Sequence, residues 1–264
     1  MGHAVTEKVI KDPGVFPVST RIKTLYSILM FLGLAAFIVT LINNPERAWH
    51  AYLVGFFYTV TLALGGLFLT ALQHVTSAGW SVNVRRFFEA FTSYLPIALV
   101  MGVILVVAGA GHLYEWLHPE EVAKDALLQH KAAYLNQSFY WIRFAAFFGL
   151  WLYFGKKIVG FSLQQDQTGD ASLTVKAVPF SVAFVLVFAL TYSFFSVDSL
   201  MSLNPHCFST IYGVYAFAGL FQSTIAFTIL VVAYLLPKGV LNVFVDDNHL
   251  HDLGKFLFDF PVFF

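Results

Sequence analysis

The chain has 264 residues, 58% hydrophobic and only 11% charged, where an ordinary soluble domain carries about 25% charged residues. That composition excludes a soluble globular domain and points to an all-α, polytopic transmembrane helix bundle. The net charge is zero, so there is no basic field for nucleic acid, and one cysteine excludes a disulfide framework, an iron–sulfur cluster or a structural zinc site built from the chain's own thiols.

Residues 1–21 are polar and irregular, with Pro13, Gly14 and Pro17, and read as a cytoplasmic N-terminal segment ahead of a transmembrane domain over 22–264. The first apolar run, Ile22–Ile42, is too long for a signal peptide and is followed by no small-residue cleavage site, so it reads as a retained span. Asn43-Asn44-Pro45 ends it. The second span runs from about Trp49 to His74, and its Gly55, Gly65 and Gly66 allow a neighbouring helix to approach closely. A loop over Val75–Arg86 leads to a third span, Phe91–Gly111, where Gly102 and Gly109 share one helix face as a packing seam.

Residues 112–137 form the longest hydrophilic stretch, with Pro119-Glu120-Glu121 opening one short surface helix. The spacing of His112, His118 and His130 fits no standard metal-ligand motif, which leaves them as solvated loop histidines. The fourth span covers Phe139–Ile158, with Arg143 inside it and Lys156-Lys157 at its end. The polar turn GFSLQQDQTGDASLTVK follows, then a fifth span over Val178–Val197 and a sixth over Ser209–Leu236, stopped by Pro237. A polar loop with Asp246, Asp247, His249, His251 and Asp252 precedes a last apolar run from Phe256 to Phe264. That run falls short of the about 20 residues a spanning helix needs. The pattern is therefore six full spans plus a truncated seventh, or a chain end lying at the membrane surface.

Lysine and arginine set the expected orientation. Lys8, Lys11, Arg21, Lys23, Arg85, Arg86, Lys156, Lys157, Lys176, Lys238 and Lys255 fall on one side, against Arg47, Lys124 and Lys131 on the other. The positive-inside rule places the N-terminus in the cytoplasm, with 112–137 and 199–208 outside. Asp198 is the only fully charged residue between Lys176 and Lys238. A lone carboxylate in so apolar a stretch is costly unless paired or neutralised. It reads either as a functional acid or as a boundary residue that ends a helix. Span directions put Asp198, Arg143 and His206 near the outer side, as an outer polar site, and His74 and Glu89 with Arg85 and Arg86 near the inner one. Two polar clusters separated by apolar helix fit two half-channels, and equally the ordinary polar ends of a membrane protein.

Four stretches carry a family resemblance. LALGGLFLTALQHVTSAGWSVNVRRFFE resembles the second-helix region of NrfD-type membrane subunits. FSLQQDQTGDASLTVKAVPF and DSLMSLNPHCFSTIYGVYAFAG resemble the ActF-type subunit of bacterial alternative complex III, a quinol:electron-acceptor oxidoreductase, and DNHLHDLGKFLFDFPVFF fits the same family. The family motif reads close to D-W-L-M-S-L-D-P-H-W-F-S-T. Ser199, Asn204 and Cys207 depart from it here, and Asn204 removes the second acid of a two-carboxylate relay. Family members continue through further helices beyond the point where this sequence stops.

The resemblance implies a bacterial inner-membrane subunit that binds no cofactor of its own. Its implied partners are a multihaem cytochrome subunit, an iron–sulfur subunit and a second NrfD-like membrane subunit, with haem and iron–sulfur clusters in those partners and quinone or menaquinone as the small-molecule contact. The implied roles are assembly support, proton translocation or quinone contact by Asp198, His206, Arg143, His74 and Glu89. Carboxylate and imidazole suit proton passage because burial and partners shift both into titration. The alternatives are a purely structural anchor for electron-transfer subunits and a stand-alone transporter. A transporter favours inverted repeats and matched broken helices, which the sequence does not display.

The orientation makes a direct prediction. In a Cys207→Ser background, His130→Cys should react with a membrane-impermeant thiol reagent added from outside, and labelling only from the cytoplasmic side would overturn the topology.

Overall fold

The computed structural model describes residues 18–79, 82–239, 241, 245 and 247–263. Residues 1–17 of the expected N-terminal segment, including Lys8 and Lys11, lie outside the described residues, as do Asp246 and Phe264. Among the described residues the architecture is all-helical, with six helices long and apolar enough to cross a membrane.

The first two spans are α1 (Thr20–Asn43) and α2 (Pro45–Val75). Between them the Asn44 side chain accepts a hydrogen bond from Arg47 N–H at 3.0 Å, and Pro45 occupies the first helical turn, where its missing donor costs nothing. The third span is interrupted. It consists of α3 (Val82–Thr92), a turn at Ser93–Tyr94, α4 (Leu95–Ile104), a π-helical turn over Leu105–Gly109 and α5 (Ala110–Leu113). Helix therefore starts well before Phe91, inside the stretch expected to be loop. The reason is that α3 is amphipathic, with Val84, Phe88 and Thr92 buried on one side and Glu89 buried by its own partners.

The surface segment also differs from expectation. Where one short helix was anticipated, the chain makes a 3₁₀ turn (Glu115–Leu117) and two six-residue helices, α6 (Pro119–Lys124) and α7 (Ala126–Lys131). Asp125 divides them: its backbone is extended, and its carboxylate caps α7 by accepting from Leu127 and Leu128 N–H.

The fourth span, α8, runs Gln137–Thr168, capped by Asn136 and closed by Gly169 in the left-handed region (φ 68°). The fifth, α9, runs Ser172–Ser199, and the sixth, α10, Tyr212–Leu235. Much of the polar turn expected after Ile158 is helical, because Ser162 and Asp166 stay on the face of α8 that meets α3. The final element, α11 (Asp247–Phe263), begins before Phe256. It packs against α10 with Leu253 buried while Phe258 and Val262 stay exposed.

The bundle is built around α2, the most buried span, which touches α1, α3, α4, α9 and α10. In lipid, burial from water does not drive helices together, so close van der Waals fit must. Gly65 lets α10 approach with Thr224 and Leu220, and Gly66 brings α2 against the Phe88 carbonyl and Phe91 of α3. Gly102 faces Phe144 and Phe56, and Gly109 lies under the Trp49 ring; both close approaches fall on the expected seam. Gly55 departs from expectation and faces open space. Much of the phenylalanine content fills the remaining volume as edge and stacked pairs. Phe56, Phe148, Trp151 and Phe195 form one such group, and Phe68, Phe188 and Tyr192 another. Each pair contributes about 0.5–1.5 kcal/mol beyond its area.

Gly66→Ala should destabilise the bundle by about 1–3 kcal/mol, because its methyl group meets a backbone carbonyl that cannot rotate away. Gly55→Ala should be neutral. Thermal melts of the two variants in one detergent check the difference.

Candidate functional site

α8 starts and α9 finishes at the same end of the bundle, so a residue early in one meets a residue late in the other. Arg143 Nε donates to Asp198 Oδ2 at 2.7 Å, and Nη2 donates to Oδ1 at 3.1 Å. The pair is bidentate and buried, Arg143 being 7% and Asp198 3% exposed. A guanidinium suits this position because its planar fork matches a carboxylate and stays charged. The remaining donor is used as well: Nη1 bonds the Tyr134 carbonyl at 3.0 Å. Two rings face the guanidinium, with Tyr134 at 3.9 Å and Phe139 at 4.4 Å from their centroids to Cζ.

Tyr114, Trp116 and Tyr140 close an aromatic wall beside the pair. Tyr114 Oη donates to the Ser199 carbonyl at 3.1 Å, and Ser202 Oγ donates to the Asp198 carbonyl at 2.5 Å. These bonds fix the C-terminal turn of α9 and with it the aim of the carboxylate. Burial, and then the nearby Asp198 charge, pushes the Tyr134 phenol well above its ordinary range; burial does the same to Tyr114. Both therefore stay protonated. The Tyr134 hydroxyl lies close enough to feel Asp198, yet among the described residues it closes no hydrogen bond of normal geometry, and buried Trp116 Nε1 likewise finds no partner among them.

His206 does not join this cluster, contrary to the expected outer trio. The 200–211 connection carries it to the surface, where its Nε2 lies 2.7 Å from Asp125 Oδ2. Lys131 Nζ donates to the Pro205 carbonyl at 2.6 Å, so α7 and the 200–211 connection are strapped together at two points. The slight desolvation of Asp125 is outweighed by the Leu127 and Leu128 N–H groups and by His206, which hold its carboxyl below the usual range. The sequence marked His206 as a candidate site residue, but nothing in it paired His206 with Asp125.

At the opposite end, Glu89 is 4% exposed and fully engaged. Oε2 accepts from Arg86 Nη1 at 2.7 Å and Oε1 from Ser162 Oγ at 2.8 Å, while Arg85 Nε lies 3.2 Å from Oε1 as an ion pair. Arg86 also binds Asp166 through Nη2. Sequence reasoning found Glu89 and the two arginines but missed Ser162 and Asp166, whose spacing of four along a continuing helix was the available clue. His74 is buried on α2, 4% exposed, and among the described residues neither ring nitrogen has a hydrogen-bond partner, nor does Gln73 Oε1 beside it. Among the described residues no hydrogen bond joins His74 to Glu89; Arg85 is the group that acts on both.

Between the two clusters the buried polar side chains are hydroxyls, among them Thr61, Thr191 and Tyr192. Thr61 Oγ1 and Tyr192 Oη lie 3.2 Å apart, and Trp151 Nε1 donates to Thr191 Oγ1 at 2.9 Å. Among the described residues no three His, Cys, Asp or Glu side chains are grouped to hold a metal ion. The arrangement can hold charge at both ends and offers hydroxyls, not carboxylates, in between. No family model matches the chain, and no curated protein matches it.

Removing one member of a buried ion pair leaves the other uncompensated and costs about 3–5 kcal/mol. Asp198→Asn should therefore lower the melting temperature of the purified chain sharply, and Arg143→Gln similarly. The double variant should cost less than the sum of the two, as measured in a double-mutant cycle. Ser199→Ala and Cys207→Ser should have much smaller effects.

Proposed function

We propose that this chain is an integral membrane subunit of a quinol-oxidising electron-transfer complex of the alternative complex III type, supporting assembly and offering a proton path or quinone contact. The single observation that carries the reading is the buried Arg143–Asp198 pair, because Asp198 opens the very stretch that resembles the ActF-type motif. A charge this far from water is expensive in a membrane, and such residues are normally retained for pairing or for moving ions. The second cluster at Glu89 and the isolated His74 at the other end support the same reading. In it, Asp198 and Glu89 mark the two ends of a path, Arg143 and Arg86 set the charge state of each, and the Thr61–Tyr192 hydroxyls stand between them. His206 is not part of that path. The implied inner-membrane location, N-terminal side and partner subunits belong to this proposal.

One observation favours the purely structural alternative: both carboxylates are fully engaged, as expected of staples that hold helices in register.

Extraction of the tagged chain from its native membrane in a mild detergent tests the assignment. A multihaem cytochrome, seen as a Soret band, together with an iron–sulfur subunit and a second membrane subunit, should co-purify. A chain that elutes alone and without haem would refute it. In the assembled complex, slowed quinol turnover in Asp198→Asn supports the proton-path reading, and unchanged turnover supports the anchor.

A further inference from the structure

The turn at Ser93–Tyr94 interrupts the third span, and Gly160 on α8 presents no side chain to fill the space beside it. The result is an open-sided cleft of about 430 Å³, bounded by Thr92, Ser93 and Pro96 on one side and Leu152, Gly160 and Leu163 on the other. That volume lies within the roughly 300–1,000 Å³ typical of small-molecule sites. The walls are mainly apolar. The one carboxylate, Glu89, is already compensated by Arg85, Arg86 and Ser162, so it demands nothing from an occupant.

Lys156 sits on the rim. It is exposed, and among the described residues no hydrogen bond or ion pair engages it. It also lies where the apolar run of α8 ends, the depth at which a lysine keeps its stem against hydrocarbon and its ammonium among headgroups. The neighbouring Lys157 turns to a different face, with its ammonium 5.9 Å from the Phe180 ring centroid.

We propose that this cleft binds one anionic phospholipid, an acyl chain lying in the groove along Gly160 and the headgroup phosphate resting on Lys156. An apolar slot beside a single unused cation is complementary to an amphiphile with a negative head. A soluble anion would leave the slot unfilled, and a zwitterionic lipid would bring its own headgroup cation up to Lys156 and weaken the attraction. The inference is independent of any electron-transfer role.

Native mass spectrometry of the full chain, titrated with phosphatidylglycerol or phosphatidylcholine in detergent, tests it. One juxtamembrane lysine near an anionic lipid corresponds to about a fivefold difference in binding, so the wild type should retain a single phosphatidylglycerol about fivefold more strongly. Lys156→Gln should abolish that preference and Lys157→Gln should keep it. Gly160→Leu should reduce retention of both lipids, because Gly160 lines the groove and a Cβ there meets nothing within 4 Å. Its far-UV circular dichroism and elution volume should match the wild type. Equal retention of the two lipids by the wild type, a preference that survives Lys156→Gln, or unchanged retention in a folded Gly160→Leu variant would each overturn the proposal.

Discussion

Arg143 and Asp198 can be buried in this bundle only because they are buried together. Each alone would carry an uncompensated charge into an apolar interior, where several kcal/mol of desolvation outweighs what other packing returns. Paired and bidentate, with the third guanidinium donor on the Tyr134 carbonyl, they tie the start of α8 to the end of α9. That tie sets the register of the two helices, and the surrounding aromatic residues are placed by it. Tyr134 and Phe139 flank the guanidinium, and Tyr114 reaches the last turn of α9.

The same constraint explains the rest of the bundle. With no water to expel, helices associate where their surfaces fit, and here the fit comes from glycine set against bulk. Gly65 and Gly66 draw α10 and α3 onto α2, and Gly109 admits the Trp49 ring. α1 stands outside this logic: it has no buried residue and meets α2 through Phe37 against Trp49 and Tyr52. The interruption of the third span is the counterpart of close packing, since the gap it leaves becomes a cleft open to one side.

The polar chemistry gathers at the two ends of the bundle and differs between them. One end holds a single satisfied pair under a roof of rings. The other holds two arginines and two carboxylates, with a buried histidine nearby whose nitrogens find no partner among the described residues. A mainly aromatic and aliphatic interior with a few buried hydroxyls separates them. A path for protons and a pair of structural staples make different demands on that interior: the first needs groups that change charge, the second needs groups that never do.

The sequence by itself determined the helical class, the six apolar spans and, as an expectation, the placing of Arg143 and Asp198 at the same end of the bundle, because apolar run length and span direction are read along the chain. Glycine spacing likewise marked Gly102 and Gly109 as a seam. Tertiary structure decided what depends on distant partners. His206 bonds Asp125 and not Asp198, because the 200–211 connection folds outward onto α7. Helix continues through Ser162 and Asp166 because those side chains find Glu89 and Arg86 across the interface, and α3 begins at Val82 because its apolar side is buried. A polar residue in a helix and a polar residue in a loop look alike in one dimension; only the partner that satisfies the side chain tells them apart.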